Sequence, residues 1–195
     1  MPATVTIEAL TGAAGNPQTI TAHRFSLSDN PTPGLTYPLR VPASGYAYSW
    51  WASHRAAISG QYTEVSDFKL SSSGSIAAAW QLGDGGMVCI GKRLTGDSGC
   101  PDDYYEQAAG SESPPTGYYM GDPVNGHNYY NNPLEAMVDD FDNYKASSPL
   151  LIDAGPYGPN ATTHTKHWVL QCKYGSDTLP GDRATQTVTL TWAEI

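Results

Sequence analysis

The fold is most clearly indicated by two segments near the end of the chain: residues 164–174 read HTKHWVLQCKY, and residues 185–195 read TQTVTLTWAEI. In both segments apolar residues alternate with other residues, which is typical of strands with one face in a core and one in water. The residues between them, 175–184, are rich in turn-forming residues but too many for a tight two-residue hairpin. We expect the two segments to pair as antiparallel strands that close a β-sandwich. The residues assigned to its inside are Trp168, Leu170, Cys172, Tyr174, Val188, Leu190 and Trp192.

The composition indicates an all-β protein built from many short strands. The 195 residues include 20 glycines and 15 prolines, and only 15% are charged. A chain of this length can fill one core, so a single domain over residues 1–195 is the simplest organisation. Further strands of an antiparallel sandwich, of jelly-roll or immunoglobulin-like type, are expected from similar patterns. They lie at about residues 4–10, 18–28, 35–41, 45–60, 61–70, 75–82 and 87–94, with a hairpin turn at 83–86.

The net charge of −9 limits the classes of partner. Nucleic-acid affinity comes mostly from Lys and Arg at phosphates, and anionic lipid also attracts basic segments, so neither partner is expected. No run of residues is apolar enough to span a membrane. The start of the chain enters a strand directly, so we expect no Sec signal. Because phosphate loops and dinucleotide fingerprints are absent, no cofactor is expected.

Residues 95–133 interrupt the alternation and contain three pairs of adjacent tyrosines. A long stretch without secondary structure of its own is usually functional or disordered, and its aromatic content disfavours disorder. We therefore expect an ordered loop or arm inserted in the sandwich. Since nothing nearby in the sequence supplies a core, its tyrosines are predicted to be contact residues at an interface. They are Tyr104, Tyr105, Tyr118, Tyr119, Tyr129 and Tyr130.

One short helix is predicted at about residues 133–144. Asn132 is a suitable capping residue, Pro133 suits the first helical position and Glu135 completes the start signal. Apolar residues then repeat at helical spacing, at Leu134, Met137, Val138, Phe141 and Tyr144. Asp139, Asp140 and Asp142 would form a solvated face of this helix, which needs no calcium ion.

The sequence TGDSGCP at residues 95–101 resembles the nucleophile loop of chymotrypsin-like serine proteases. In that family a serine attacks the substrate and a histidine takes its proton, roles that would fall to Ser98 and His23. However, Ser98 lies at mid-chain, no aspartate in a recognisable context separates it from His23, and Cys100 replaces the second glycine of the motif. We interpret the motif as a turn and expect no enzymatic activity, with the protease kept as a remote alternative.

A metal site is not expected either. His164, His167 and Cys172 superficially offer zinc ligands, but in a strand positions 164 and 167 point to opposite faces. His167 is instead expected to face solvent or an interface.

The three cysteines cannot all pair within one chain. Cys89 and Cys172 lie in apolar strands and are expected to be small core residues. Cys100 lies in a loop rich in Gly and Pro and is expected to be exposed, which leaves an intermolecular disulfide open.

Several segments resemble strands of virion structural proteins from tailed bacteriophages: WVLQ at 168–171, TVTLTW at 187–192, YSWW at 48–51 and SGQYTEVSDF at 59–68. The resemblance covers the sandwich strands and leaves out residues 95–133. It implies a capsid decoration (cement) protein, or another head or tail surface protein, without enzymatic activity. It further implies a homo-oligomer that binds the major capsid protein or another virion protein, and that is located in the virion after assembly in the host cytoplasm.

The alternative is a carbohydrate-binding or adhesin module. Exposed aromatic residues on a β-sandwich can stack on sugar rings, so a glycan is the second class of partner. Under the virion hypothesis, deletion of residues 110–127 is expected to leave a soluble sandwich that no longer assembles.

Overall fold

The architecture comes from a computed structural model that describes residues 2–30, 35–92, 104–131 and 137–195. The described chain is mostly β, and the expected all-β antiparallel sandwich is confirmed. The strands are β1 Ala3–Thr11, β2 Asn16–Ile20, β3 Tyr46–Tyr48, β4 Ala52–Gly60, β5 Val65–Ser71, β6 Met87–Gly91, β7 Gly110–Glu112, β8 Pro115–Gly117, β9 Val138–Asp140, β10 Leu150–Asp153, β11 Thr163–His164, β12 Trp168–Gly175 and β13 Thr189–Glu194, with a helix α1 at Ile76–Trp80 and a 3-10 helix at Phe141–Asn143.

Two antiparallel sheets form the sandwich. The large sheet has eight strands in the order β2-β1-β4-β12-β6-β9, with β11 also paired to β4 and β3 to β12. The small sheet has three strands in the order β10-β5-β13, and β7 and β8 form a separate two-stranded ribbon. Side chains of both sheets meet in the main core, where Phe68 and Leu70 of β5 belong to the same buried cluster as Trp168 and Leu170 of β12.

Strand β12 lies inside the large sheet and is covered on both faces. Trp168, Leu170, Cys172 and Tyr174 point into the main core, as the alternation predicted. The other face of β12 is not solvated: Val169 belongs to a second apolar cluster, and Gln171 is fully buried. The second face of such a strand has to be buried by another part of the chain.

The predicted pairing of the two C-terminal segments is wrong. β12 pairs with β3, β4 and β6, whereas β13 pairs with β5 in the other sheet. The connection between β12 and β13 is held beside α1, where the Thr178 hydroxyl donates to the Leu82 carbonyl at 2.7 Å and Arg183 Nε donates to the Trp80 carbonyl at 2.6 Å. These hydrogen bonds hold the connection in place where the chain crosses from the large sheet to the small sheet.

The helix prediction at residues 133–144 is wrong over the residues that the structure describes. Val138–Asp140 is strand β9, paired antiparallel with β6, and a single 3-10 turn follows at Phe141–Asn143. Residues 132–136, which carry the predicted helix start, lie outside the described ranges. The α-helix is found instead at Ile76–Trp80, within a segment predicted as a strand. No helix among the described residues is long and apolar enough to cross a lipid bilayer.

The three aspartates form hydrogen bonds within the fold and are not a solvated helix face. The two carboxylate oxygens of Asp142 accept the first amides of α1, from Ile76 and Ala77, each at 2.9 Å. Asp139 pairs with Lys92 at 2.8 Å. Capping of α1 from a distant segment explains why a five-residue helix forms, because so short a helix is unstable alone.

Three other boundaries differ from the expectations. β2 ends at Ile20 rather than at residue 28, and the described residues 35–41 form no strand. The turn at 83–86 joins α1 to β6 and does not join two strands.

Candidate interaction surface

Residues 104–131, here called the covering segment, pack on the outer face of the large sheet. A second apolar cluster forms there. Trp51 directly before β4, Cys89 in β6 and Val169 in β12 come from the large sheet, and Met120 and Tyr130 come from the covering segment. Met120 and Tyr130 are 0% and 1% exposed. The expectation that nothing supplies a core for this region was therefore wrong. Deletion of residues 110–127 would uncover this cluster, so it is not the clean test of assembly that the sequence suggested.

Gln171 of β12 ties the covering segment to the sheet. Its side-chain nitrogen donates to the carbonyls of Ser49 at 2.8 Å and Tyr118 at 2.7 Å, and its side-chain oxygen accepts the amide of Met120 at 2.9 Å. Three of the four hydrogen bonds that a glutamine side chain can form are thus made, all in a buried position. Because an unpaired polar group in such a place is costly, this arrangement fixes the backbone of residues 118–120 on the sheet.

Further hydrogen bonds fix the start and the middle of the covering segment. Trp51 Nε1 donates to the carbonyl of Glu106 at 3.1 Å, and the Tyr48 amide donates to the Thr116 hydroxyl at 3.0 Å. At Gly117 the approach is so close that a Cβ atom would lie 2.0 Å from the Ser49 carbonyl oxygen. Only glycine allows this contact between two backbones.

His127 is a buried, neutral support of the covering segment. Its ring is completely buried between the rings of Tyr130, at 4.9 Å, and Trp51, at 5.6 Å. Burial, with a smaller contribution from the neighbouring His167, lowers the pKa of His127 to about 3. Nδ1 accepts the amide of Tyr129 at 3.2 Å, so the proton of the neutral ring resides on Nε2. The contact of 3.7 Å with Glu106 is consequently not an ion pair at neutral pH.

Four of the six predicted interface tyrosines are partly exposed and pack on the second apolar cluster, as Trp50 also does. We call these four the tyrosine layer. Tyr119 contacts Tyr48 at 5.1 Å between ring centroids, and Tyr104 contacts Tyr129 at 5.5 Å. The members are Tyr104, Tyr118, Tyr119 and Tyr129.

The other two predicted interface tyrosines lie elsewhere. Tyr130 is buried beneath the layer, where its ring leaves no room for a side chain at Gly91, so it offers no surface to a partner in this structure. Tyr105 is partly buried against Gly15 in the turn between β1 and β2, and so supports that turn.

Burial keeps two phenols neutral here, that of Tyr119 in the tyrosine layer and that of Tyr48 beside it. Burial raises the pKa of Tyr48 to about 12, with smaller contributions from Cys89 and Tyr119, and burial also raises the pKa of Tyr119. A phenol of this kind donates and accepts hydrogen bonds but does not ionise near neutral pH. The layer is therefore suited to contact with a protein or a sugar.

The residues that suggested a protease lie apart from this surface or outside the described ranges. Ser98 and Cys100 fall in residues 93–103, which are not described. The His23 ring contacts that of His54 at 5.0 Å, edge to face, and burial lowers the pKa of His23 to about 4. The cavity beside His23 measures about 10 Å³, which is room for about one water molecule.

The expectation for His167 was wrong, because this residue is 2% exposed and its Nδ1 donates to the Tyr104 carbonyl at 2.7 Å. Its ring also stacks beside His164, with 6.1 Å between centroids. The prediction assumed that residues 164 and 167 lie in one strand and so point to opposite faces. It was wrong because β11 ends at His164 and β12 begins only at Trp168. In the described ranges no three His, Cys, Asp or Glu side chains are grouped closely enough to hold a metal ion.

Cys89 and Cys172 are buried free thiols, as predicted. Burial raises the pKa of Cys89 to about 12.

Comparisons of the chain with protein-family models, with curated proteins and with solved structures gave no match in any of the three.

Proposed function

We propose that this protein is a non-enzymatic structural protein that docks through its tyrosine layer on a large protein assembly. The observation that carries the proposal is that the layer is preformed. Gln171 and the buried Met120 hold the backbone beneath it, so little conformational freedom is lost when a partner binds. Tyrosine is enriched at protein interfaces because it buries a large area with few rotatable bonds.

Within that class we propose a capsid decoration (cement) protein of a tailed phage, bound to the major capsid protein or another virion protein. The support for this finer assignment is the resemblance of the sandwich strands to phage virion structural proteins. The net charge of −9 also suits a partner that presents a basic surface, because complementary charge speeds association and disfavours wrong partners.

Co-sedimentation with phage capsids stripped of their surface proteins tests the proposal. The purified chain should sediment with the particles and saturate at a fixed ratio of chain to capsid subunit. The double variant Tyr118→Ala with Tyr119→Ala should lose at least about tenfold in affinity, as expected when interface tyrosines are removed. Tyr37→Ala is the matched control, because Tyr37 is 50% exposed and lies outside the tyrosine layer.

Thermal melts of the variants separate loss of binding from loss of folding. Saturable binding that the double variant weakens and the control does not would support the proposal. A wild-type chain that binds none of the capsids, or a double variant that binds as tightly as wild type, would contradict the proposal. Retention of the wild-type chain on a glycan array, lost in the same double variant, would instead favour the carbohydrate-binding alternative.

A further inference from the structure

Strand β13 forms an edge of the small sheet. In the order β10-β5-β13 it pairs with β5 on one side, and no described strand pairs with it on the other. An edge of this kind presents a row of backbone N–H and C=O groups that can pair with another strand.

Most of β13 lacks the features that normally protect an edge. Its one charged residue, Glu194, ends the strand, and there its carboxylate accepts the Ala3 amide at 2.7 Å. Residues 184–193 contain no charged side chain and no proline. The outer strands of the large sheet do carry such residues: Pro17 lies in β2, and Asp139 and Asp140 lie in β9. Charges and prolines at edges prevent pairing with other chains, so their absence from residues 184–193 favours pairing.

The exposed apolar side chains at this edge match one another under two-fold symmetry. Val188, just before the strand, and Trp192, within it, are each 38% exposed. Both share the parity of Leu190, which packs on the main core, and Trp192 stacks on Phe68 at 6.4 Å. A two-fold axis perpendicular to the sheet keeps each face on its own side, so residues of equal parity oppose each other in a symmetric antiparallel pair.

From these observations we infer that β13 pairs antiparallel with β13 of a second copy of this chain, centred on Leu190. In this register Val188 of each copy faces Trp192 of the other, and Thr189 faces Thr191. Aromatic residues opposite β-branched residues and threonines opposite threonines are favourable cross-strand pairs. The two small sheets then form one continuous sheet of six strands, three from each copy.

The self-complementary pattern of residues 188–192 identifies a second copy as the occupant. Two copies with a net charge of −9 each repel one another over most of their surface, and residues 184–193, which carry no charge, are where that repulsion opposes approach least. The edge lies in the small sheet, whereas the tyrosine layer lies on the outer face of the large sheet, so the two surfaces are separate. The inference goes beyond the proposed function, and each can fail without the other.

Sedimentation velocity over a concentration range of roughly 1–300 µM tests the pairing. The wild-type chain should show a reversible monomer–dimer equilibrium. Val188→Lys should raise the dissociation constant at least about tenfold, because it places a charge at the paired edge, whereas Val188→Thr should change it far less. A wild-type chain that stays monomeric over the whole range, or a Val188→Lys variant that dimerises normally, would overturn the inference.

The register has a separate test with single cysteines, each made in a Cys100→Ser background. Opposed Thr189 and Thr191 positions have Cα atoms about 4.5–5.5 Å apart, within disulfide reach, whereas like positions lie on a diagonal at about 7–8 Å. A mixture of T189C and T191C chains should therefore form a disulfide-linked dimer on mild oxidation, and neither variant alone should do so efficiently. Equal cross-linking of the mixture and the single variants would overturn the proposed register.

Discussion

Replacing Gln171 with methionine tests how firmly the covering segment is bound to the sheet. Methionine has nearly the shape of glutamine but neither donates nor accepts the hydrogen bonds that Gln171 makes. Gln171→Met would leave the carbonyls of Ser49 and Tyr118 and the amide of Met120 without this partner in a buried site.

Each buried polar group left unsatisfied costs about 1–3 kcal/mol, so the three together predict a loss of at least about 3 kcal/mol. The free energy of unfolding of an ordinary domain is about 5–15 kcal/mol. The variant should therefore remain folded, but it should unfold at a clearly lower urea concentration than wild type. Urea denaturation followed by tryptophan fluorescence measures the change in the free energy of unfolding.

The matched control is Gln18→Met, because Gln18 lies exposed on the edge strand β2. This control should stay within about 0.5 kcal/mol of wild type, as surface substitutions usually do. A Gln171→Met variant as stable as the control would refute the reasoning, because it would mean that residues 118–120 are not held by this side chain.

Three further predictions concern the histidines, the close contact and the helix cap. The pKa of His127 is lowered from 6.5 in an unfolded chain to about 3, so the neutral form stabilises the fold, and that contribution is lost as the pH falls below 6.5. Between pH 7.5 and pH 5 the loss from His127 should be about 2 kcal/mol, measurable by urea denaturation at the two pH values; unchanged stability would contradict the neutral, buried ring. Gly117→Ala should cost about 1–3 kcal/mol through the clash with the Ser49 carbonyl, whereas Gly158→Ala, with no atom within 4 Å of its Cβ, should leave the melting temperature almost unchanged. Asp142→Ala should cost about 1–2 kcal/mol by uncapping α1, and a variant that melts like wild type would show that the cap contributes nothing.

Other groups also contribute to the expected pH dependence. His23 and His54 act in the same direction as His127, since burial lowers the pKa of both. Burial raises the pKa values of Glu106 and Asp29, so their protonation favours the folded state on acidification. The total loss of stability on acidification should consequently be smaller than the sum for the three histidines. Near pH 6 the histidines dominate, so lowering the pH should still destabilise the fold.

Alternation in the sequence was sufficient to predict the sandwich and the inward face of β12. It was insufficient to predict the partner of β13, because a period of two defines the faces of a strand and not its neighbour. The helix prediction was wrong over the described residues 137–144 for a related reason. Apolar residues at helical spacing were overridden at Val138 by pairing with β6, and Asp142 was used to cap a different helix.

The covering segment could not be predicted from periodicity, since its burial follows from tertiary hydrogen bonds in an irregular backbone. One signal was present in the sequence: Gln171 stands in the run WVLQC, where a polar residue among apolar ones indicates a buried polar group that needs partners. The tyrosine pairs correctly drew attention to the region. They did not reveal that within Tyr129-Tyr130 one ring is partly exposed and the next is buried.

Native-state hydrogen exchange at the amides of Met120 and His127 tests most directly that the tyrosine layer rests on a preformed part of the fold. The Met120 amide donates to Gln171, and the His127 amide donates to the Met120 carbonyl at 2.9 Å. If the layer is preformed, both amides should exchange only through opening with a free energy near that of global unfolding, like amides of β12. Exchange within seconds, as in a free loop, would contradict a rigid docking surface.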